Sequence, residues 1–357
     1  MDTKRLYVDF HVLQTVPPSC VNRDDTGSPK TAVYGGVTRA RVSSQAWKHA
    51  VRRMFMDEMA ETVETGKRTL KAVELVEEEL EKLSPDQKET ERKKAAKKVL
   101  ENAGIKMKDE SNAALLFLSR SQAHALAELA KEGIDDKNVC KNALKENPAV
   151  DMALFGRMVA SDPSLNYDAC AQVAHSISTH AVQNEFDYFT AVDDCSPEDS
   201  SGAGHLGTVE YNSSTLYRYA TVNMVELAQL LGEQKAVQAV RVFGDAFIRS
   251  MPTGKQNSFA NRTLPDGVYI ALRTDQPVNL CGAFEKPVRK SESGYADPSK
   301  SALVQYAQQI YSSFADAPVC SFSVGNGLTE LAPAMPLKSM LSALETAVKE
   351  NLSRSEV

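Results

Sequence analysis

The sequence predicts an α+β fold, and three observations carry that reading. Short segments alternate apolar and polar residues at the strand period in 6–15, 37–42, 185–192, 215–222 and 267–273. Apolar residues recur at the helical period in 45–55, 224–251, 299–314 and 337–352. The two kinds of segment are interleaved, with no internal repeat and no coiled-coil seam.

The bounds agree. A chain of 357 residues is long enough for one large domain or two. Its 42% apolar and 25% charged content is that of a soluble globular protein. With 41 Lys+Arg against 47 Asp+Glu, any basic patch runs against the average. No apolar run reaches bilayer length, and the N-terminus lacks the pattern of a secretory signal. Cys20, Cys140, Cys170, Cys195, Cys281 and Cys320 are spread apart and never form C-x-x-C. That fits reduced cytoplasmic thiols rather than a disulfide framework or a zinc site.

Taken in order, residues 6–15 read as a strand with Leu6, Val8, Phe10 and Val12 on one face, ended by Pro17 and Pro18. Residues 22–30 form a polar loop. Asp24 and Asp25 there suggest a metal or a turn; no further ligand spacing supports a metal, so they read as turn formers. Residues 37–53 are the stretch around which the chain is organised. They hold Arg39, Arg41, Lys48, Arg52 and Arg53 and no acid. Residues 37–42 read as a strand, Ser43 and Ser44 as N-cap residues, and a helix runs from Gln45. Ala46, Trp47, Ala50, Val51, Met54 and Phe55 share its buried face, and Lys48 and Arg52 share another. A helix start offers unpaired N–H groups and a dipole worth roughly 0.3–1 kcal/mol to an anion. Arg41, Ser43, Gln45 and Lys48 add donors around that start. A capped amphipathic helix with a solvated basic face explains the same residues, and residue physics alone leaves both readings open.

Residues 64–110 carry twelve basic and twelve acidic side chains, which predicts solvated helix with mixed-sign pairs. Residues 113–131 and 135–145 read as two further helices, the second with Lys137, Lys141 and Lys145 in a stripe. Residues 151–160 read as a short apolar strand holding Gly156 and Arg157, and 167–182 as a helix. The strand at 185–192 carries Phe186, Tyr188 and Phe189; a Gly/Ser/Asp-rich excursion over 193–210 leads to the strand at 215–222. This has the form of a hairpin-like arm leaving a sheet. Met158, Phe189 and Leu206 read, by residue type, as apolar residues facing a core. The helical stretch 224–251 is interrupted near Gly232. The polar loop 252–266, with Lys255 and Gln256, fits a backbone-contacting loop and an ordinary surface loop equally. A strand at 267–273, a helix at 299–314, a strand at 319–324 and a helix at 337–352 complete the chain.

Several motifs now stand in one order: N-R-D-D at 22–25, Y-G-G at 34–36 and R-V-S-S-Q at 41–45, then G-R-M at 156–158 and F-T-A-V-D-D at 189–194. A-H-L-G-T over 203–208 (Gly204 inserted), Y-R-Y-A at 217–220 and A-F-E-K at 283–286 follow. No one of them is diagnostic. The ordered set resembles the CasC-type backbone subunit of the type I-E CRISPR Cascade complex. The resemblance implies a right hand: an RRM-like (ferredoxin-like) palm over 1–55, 149–192 and 216–357, a helical finger over 56–148, and a thumb arm over 193–215. It implies a CRISPR guide RNA as partner, target DNA reached through the guide, neighbouring copies stacked head to tail, and the other Cascade subunits, with no membrane. It gives phosphate-contact roles to Arg23, Lys30, Arg41, Ser43, Gln45, Lys48 and Arg52, to Lys137 and Lys141 of the finger, and to Lys255 and Gln256. It makes Met158, Phe189 and Leu206, with Thr190 beside them, wedges in the guide–target duplex. An apolar or aromatic side chain that replaces base stacking contributes about 1–3 kcal/mol per base.

No cofactor, metal or catalytic residue is implied. The six histidines are scattered, and neither H-E-x-x-H nor a Walker A loop occurs. Two alternatives stay on the table. Backbone subunits of type III effector complexes cut RNA with an Asp after the first strand, a place Asp24 or Asp25 would fill. A purely structural, RNA-independent self-assembling protein is the other.

Overall fold

The structure, a computed structural model, describes residues 5–191, 195 and 205–353. The first strand, β1 (Tyr7–Ser19), is followed by the hairpin β2 (Thr31–Tyr34) and β3 (Val37–Val42) and by α1 (Ser44–Glu58). Next come β4 (Lys67–Thr69), α2 (Ala72–Leu83), α3 (Glu89–Asn102), β5 (Met107–Lys108), β6 (Ser111–Asn112) and β7 (Leu116–Leu118). Then follow α4 (Arg120–Glu132), α5 (Lys137–Lys145), α6 (Val150–Phe155), β8 (Ala171–Val173) and β9 (Ser176–Ser178). The arm is β10 (Glu185–Ala191) with β11 (His205–Asn223). The chain continues through α7 (Met224–Leu231), α8 (Glu233–Arg249), α9 (Gln256–Phe259), β12 (Gly267–Arg273), α10 (Ala296–Ser313), β13 (Cys320–Val324) and α11 (Leu337–Ser353).

The fold is α+β, built on an antiparallel sheet in the order β13-β12-β1-β11-β9-β3-β2, with β8 and β10 also on β11. The 19-residue β11 is its spine. From Asn212 to Asn223 it pairs with β1; from His205 to Tyr211 it pairs only with β10 and leaves the sheet as a two-stranded arm. Strand alternation sends Leu6, Val8, Phe10 and Val12 into one core, with Val51 and Phe55 of α1, Phe243 and Phe247 of α8, and Leu344 of α11. The opposite face buries Leu13, Tyr217, Tyr219 and Tyr269 under Leu303 and Ala307 of α10. Helices on both faces explain why Asp9 and His11, the polar alternates of β1, are also buried. The Tyr219 hydroxyl and the Val278 N–H donate to Asp9, and burial still pushes its pKa up to about 6. Burial takes His11 down to about 3. A separate hydrophobic cluster is made wholly from residues between 72 and 165. Its charges pair both inside, as Arg92–Glu77 at 2.7 Å, and on the surface, as Lys93–Glu89 at 2.5 Å.

Four expectations are corrected. The first strand does not stop at Pro17. It pairs through Val16, bulges, and resumes at Ser19, which spares the ladder the missing N–H groups of the prolines. Within 113–131 the first part is strand β7, paired to β4. Residues 151–155 are helical, ended by Gly156 at φ 78. Residues 167–182 are not helical: they hold β8 and β9, which pair with β11. Helices α1, α7, α8, α10 and α11 fall where the periodicity puts them, including the break at Gly232 (φ 79) between α7 and α8.

Candidate nucleic-acid interface

The start of α1 is built as its residues require. Ser43 is the N-cap, its hydroxyl accepting from the Ala46 N–H at 3.3 Å. Trp47 lies fully buried, its indole N–H donating to Ser176 at 2.9 Å. The Arg218 guanidinium stacks 3.8 Å from the Trp47 ring and donates to Gln14 at 2.6 Å and to the Phe247 carbonyl. Burial pushes this arginine down to about 9. Arg39 points away from the helix start. It donates to the carbonyls of Tyr34, Ser178, Phe284 and Glu285. The Y-G-G and A-F-E-K motifs therefore meet on one buried guanidinium. They meet closely: a Cβ on Gly35 (φ 58) would lie 1.7 Å from the Glu285 carbonyl oxygen.

Loop 22–30 is tied to the same place. The Asn22 side-chain oxygen accepts from the Ser43 N–H at 2.9 Å, and the Lys30 carbonyl accepts from the Arg41 N–H at 2.9 Å. Asp24 forms the turn expected of it, accepting from the Thr26 hydroxyl and from the Thr26 and Ser28 N–H groups. Those bonds hold its carboxyl below the usual range. Arg23 projects from this loop into solvent and Lys30 is half-buried. Arg41 donates to the Thr31 carbonyl at 3.1 Å and meets His175 Nδ1 at 3.1 Å. A guanidinium only donates, so Nδ1 accepts and the proton sits on Nε2. Burial, then the charges of Arg41 and Lys30, depress the pKa of His175. Loop 252–262 packs against the first loop: a Cβ on Gly254 would lie 2.1 Å from the Val21 carbonyl oxygen. Lys255, in the left-handed region at φ 47, and Gln256 are half-buried there. The Phe259 ring reaches Tyr211, at the base of the arm, at 5.8 Å.

One turn into α1, Gln45 is exposed and Lys48 is half-buried, its ammonium 5.9 Å from the Phe155 ring. Burial, then the charge of Arg68, lowers the pKa of Lys48. Arg52 is placed differently from the rest of the expected phosphate set. It pairs with the fully buried Asp151 at 2.8 Å and donates to the Gly66 carbonyl at 3.3 Å. Lys137 is exposed at the start of α5, whereas Lys141 pairs with Asp162 at 2.5 Å and helps hold that carboxyl down to about 2.

The wedge residues sit on the loop after α6 and on the two strands of the arm. Met158, on the loop after α6, is 82% exposed. Phe189 and Thr190 are exposed on β10, opposite Gly207 and Leu206 respectively. Phe186, Tyr188 and Phe189 show 65%, 64% and 42% of their surface, so this arm is apolar without facing a core. A Cβ on Gly207 would come within 2.3 Å of the Phe189 ring, which fits the glycine there. The Leu206 side chain and most of the excursion beyond Ala191 lie outside the described residues.

Residue reasoning missed three members of this surface. Asn22 and His175 buttress it, and Arg68 joins Lys48. Arg68 sits in the segment of balanced charge, where nothing in its spacing marks it. Among the described residues, no cluster of His, Cys, Asp or Glu is arranged to hold a metal, and no helix is long and apolar enough to cross a membrane.

Comparison with known proteins adds the following. A family model described as CT1975-like protein matches residues 8–349. A solved chain of a CRISPR RNA-guided surveillance complex in a pre-nicking state is 34% identical, with a TM-score of 0.79 over 96% of this chain and 100% of that one. A chain from another CRISPR RNA-guided surveillance complex is 32% identical, with a TM-score of 0.64 over 96% of this chain and 99% of that one. No curated protein matches in sequence.

Proposed function

This chain belongs to the CT1975-like protein family, and we propose that it is a guide-RNA-binding backbone subunit of a Cascade-type surveillance complex. Copies of it stack head to tail along one guide RNA, because a heterologous contact that does not close generates a filament. The sheet acts as an RRM-like palm. The helical unit around residues 72–165 acts as the finger and the β10–β11 arm as the thumb. Target sequence is read by base pairing, and the protein holds backbone shape.

The observation that carries this reading is the convergence around the start of α1. Asn22 ties the Arg23–Lys30 loop to Ser43, and Gly254 lays the Lys255–Gln256 loop against Val21. Arg41, Gln45 and Lys48 complete the rim. The phosphate set is then Arg23, Lys30, Arg41, Ser43, Gln45, Lys48, Lys255 and Gln256, with Lys137 on the finger. Arg52 and Lys141 are engaged by carboxylates. Met158, Phe189, Thr190 and Leu206 are the duplex wedge. We read the chain as a binding protein rather than a nuclease, since the Asp24 carboxylate is used by its own turn. The guide is a single strand held largely through phosphates, so binding is salt-sensitive.

The test is size-exclusion chromatography at low and high salt, with and without a guide-length RNA and the partner subunits. RNA should convert the chain into a discrete, salt-sensitive multimer. Filaments that form without RNA and ignore salt would replace this reading with a structural one, and metal-dependent cutting of bound RNA would replace it with a nuclease.

A further inference from the structure

His175 stands on the loop between β8 and β9, one residue before Ser176, which pairs with Val42 of β3. That register brings its ring to the side chain of Arg41 on the neighbouring strand. The Arg41 guanidinium is fixed at two points. Its Nε donates to the Thr31 carbonyl and its Nη1 to His175 Nδ1, each at 3.1 Å. A guanidinium carries five N–H donors, so the remaining ones are left for a ligand. The Lys30 carbonyl takes the Arg41 backbone N–H at 2.9 Å, which sets a second cation beside the pair. Arg41 of β3 and Lys30 of the loop 22–30 are the charged groups that act on His175, and among the described residues no carboxylate pairs with its ring. Burial and these two cations hold the imidazole neutral, which is the form that accepts from Arg41. A phosphate placed on Arg41 reverses that balance. Its charge offsets the two cations, and its oxygens compete with Nδ1 for the guanidinium. An anion at this distance favours the charged form of an imidazole.

We propose that His175 is a positioning residue for Arg41 that takes up a proton when guide RNA binds: neutral, it holds the guanidinium in place; protonated, it donates to the same phosphate. The proton comes from solvent and goes to Nδ1, as the Arg41 Nη1 donor turns from that nitrogen to a phosphate oxygen. The inference rests on the RNA-binding reading and adds a linked proton to it. Binding that takes up a proton strengthens as pH falls, by at most about tenfold per pH unit for each proton.

The experiment measures binding of guide RNA to the chain with its partner subunits by fluorescence anisotropy, from about pH 8 to about pH 6, with hydroxyl-ended RNA so that no terminal phosphate titrates. Wild type should bind about three- to tenfold more tightly per copy at the lower pH, and its salt slope should steepen there by up to about 0.7 per copy. His175 is exposed, so its variants should fold. His175→Asn offers Arg41 an acceptor but no titrating group. Its affinity should not change with pH, and at the higher pH it should recover affinity that His175→Ala loses. Histidines elsewhere titrate alike in all three proteins, so the difference between profiles belongs to His175. Parallel pH profiles for wild type and His175→Asn would overturn the proton uptake and leave the RNA-binding reading standing, as would wild-type binding that weakens at the lower pH. Equal losses in the two variants at the higher pH, or no loss in His175→Ala, would overturn the positioning role. If wild type with its partner subunits binds no RNA at any pH, the inference and the reading fall together.

Discussion

Lys48 and Arg52 stand one turn apart on α1, and the structure predicts opposite outcomes for removing them. Among the described residues no carboxylate pairs with Lys48; it is half-buried over Phe155 with the charge of Arg68 nearby. Arg52 is 14% exposed and pairs at 2.8 Å with Asp151, whose side chain is fully buried. Each cation that neutralises a phosphate on a single strand adds about 0.7 to the slope of log K against log salt. Lys48→Gln should therefore flatten that slope by about 0.7 per bound copy, which between 50 and 200 mM salt is about a 2.6-fold smaller loss of affinity. Its urea midpoint should not move. Arg52→Gln leaves a buried carboxylate with the Gly66 N–H and without its directly paired cation. Breaking such a pair costs about 3–5 kcal/mol, and the remaining donor favours the lower end. Its urea midpoint should fall while its salt slope stays that of the wild type. The assay is fluorescence anisotropy with guide RNA at three salt concentrations, paired with urea unfolding of the same samples. Parallel salt lines for Lys48→Gln and wild type would refute the phosphate role. A flattened slope for Arg52→Gln with unchanged stability would refute the division between the two residues.

Gly35→Ala should destabilise strongly. The left-handed backbone alone costs about 1–2 kcal/mol, and the new Cβ meets the Glu285 carbonyl oxygen; a urea midpoint within error of wild type would mean the two motifs do not touch. Phe189→Ala should spare guide binding and weaken capture of complementary DNA by about 1–3 kcal/mol for each base it supports; undiminished DNA affinity removes the wedge role. The buried pair on β1 sets a pH dependence. His11 is held at about 3, below its ordinary 6.5, so the unfolded chain takes up its proton first and stability falls as pH drops below 6.5. Asp9 is raised from 3.8 to about 6, so it opposes this by stabilising the fold as pH falls from about 6 towards 3.8. Relative to its own value at neutral pH, His11→Gln should gain about 3 kcal/mol over wild type by about pH 4; parallel pH profiles from chemical denaturation would show that His11 is not kept neutral.

The parts legible in the sequence are those where one period dominated. In α1, α8 and α11 one helical face is buried, and in β12 a continuous apolar run lies between two strands. Residues 151–155 defeat the same logic because all but Phe155 are buried, so helix and strand leave the same apolar run. The stretch over 171–178 has the alanines of a helix, yet the edge of β11 offers hydrogen bonds to both of its short strands, and pairing overrides propensity. The site divides in the same way. Ser43 as N-cap and the adjacent strand are local facts and were readable. The engagement of Arg52 and Lys141 depends on Asp151 and Asp162, 99 and 21 residues away in sequence, and no spacing rule reports that. Arg68 was hidden for the converse reason: it lies in a segment whose charges balance on paper, and only folding separates it from them.

Several arginines in or near the motifs behind the family resemblance serve the frame rather than the interface. Arg39, next to Y-G-G, spends its donors on four backbone carbonyls, two of them from A-F-E-K. Arg157 of G-R-M donates to the Leu144 and Leu165 carbonyls and stacks 4.5 Å from Tyr167. Arg218 of Y-R-Y-A supports Trp47 from below. Each is a guanidinium nearly or fully buried with no carboxylate partner among the described residues; backbone carbonyls take the donors of Arg39 and most of those of Arg157, while Arg218 has one carbonyl and the Gln14 side chain and keeps a buried Nε without a partner. Lysine cannot replace it there, since an ammonium lacks the planar fork that reaches several carbonyls at once. The residues left to touch a ligand include exposed or half-buried side chains whose identity the fold leaves free, among them Gln45, Lys48, Arg68 and Met158. In this chain the buried arginines join distant segments into one frame, and the frame aims the start of α1, the arm and the Met158 loop. Substituting the buried set should therefore abolish the fold and the binding together, whereas substitutions on the exposed set should change binding alone.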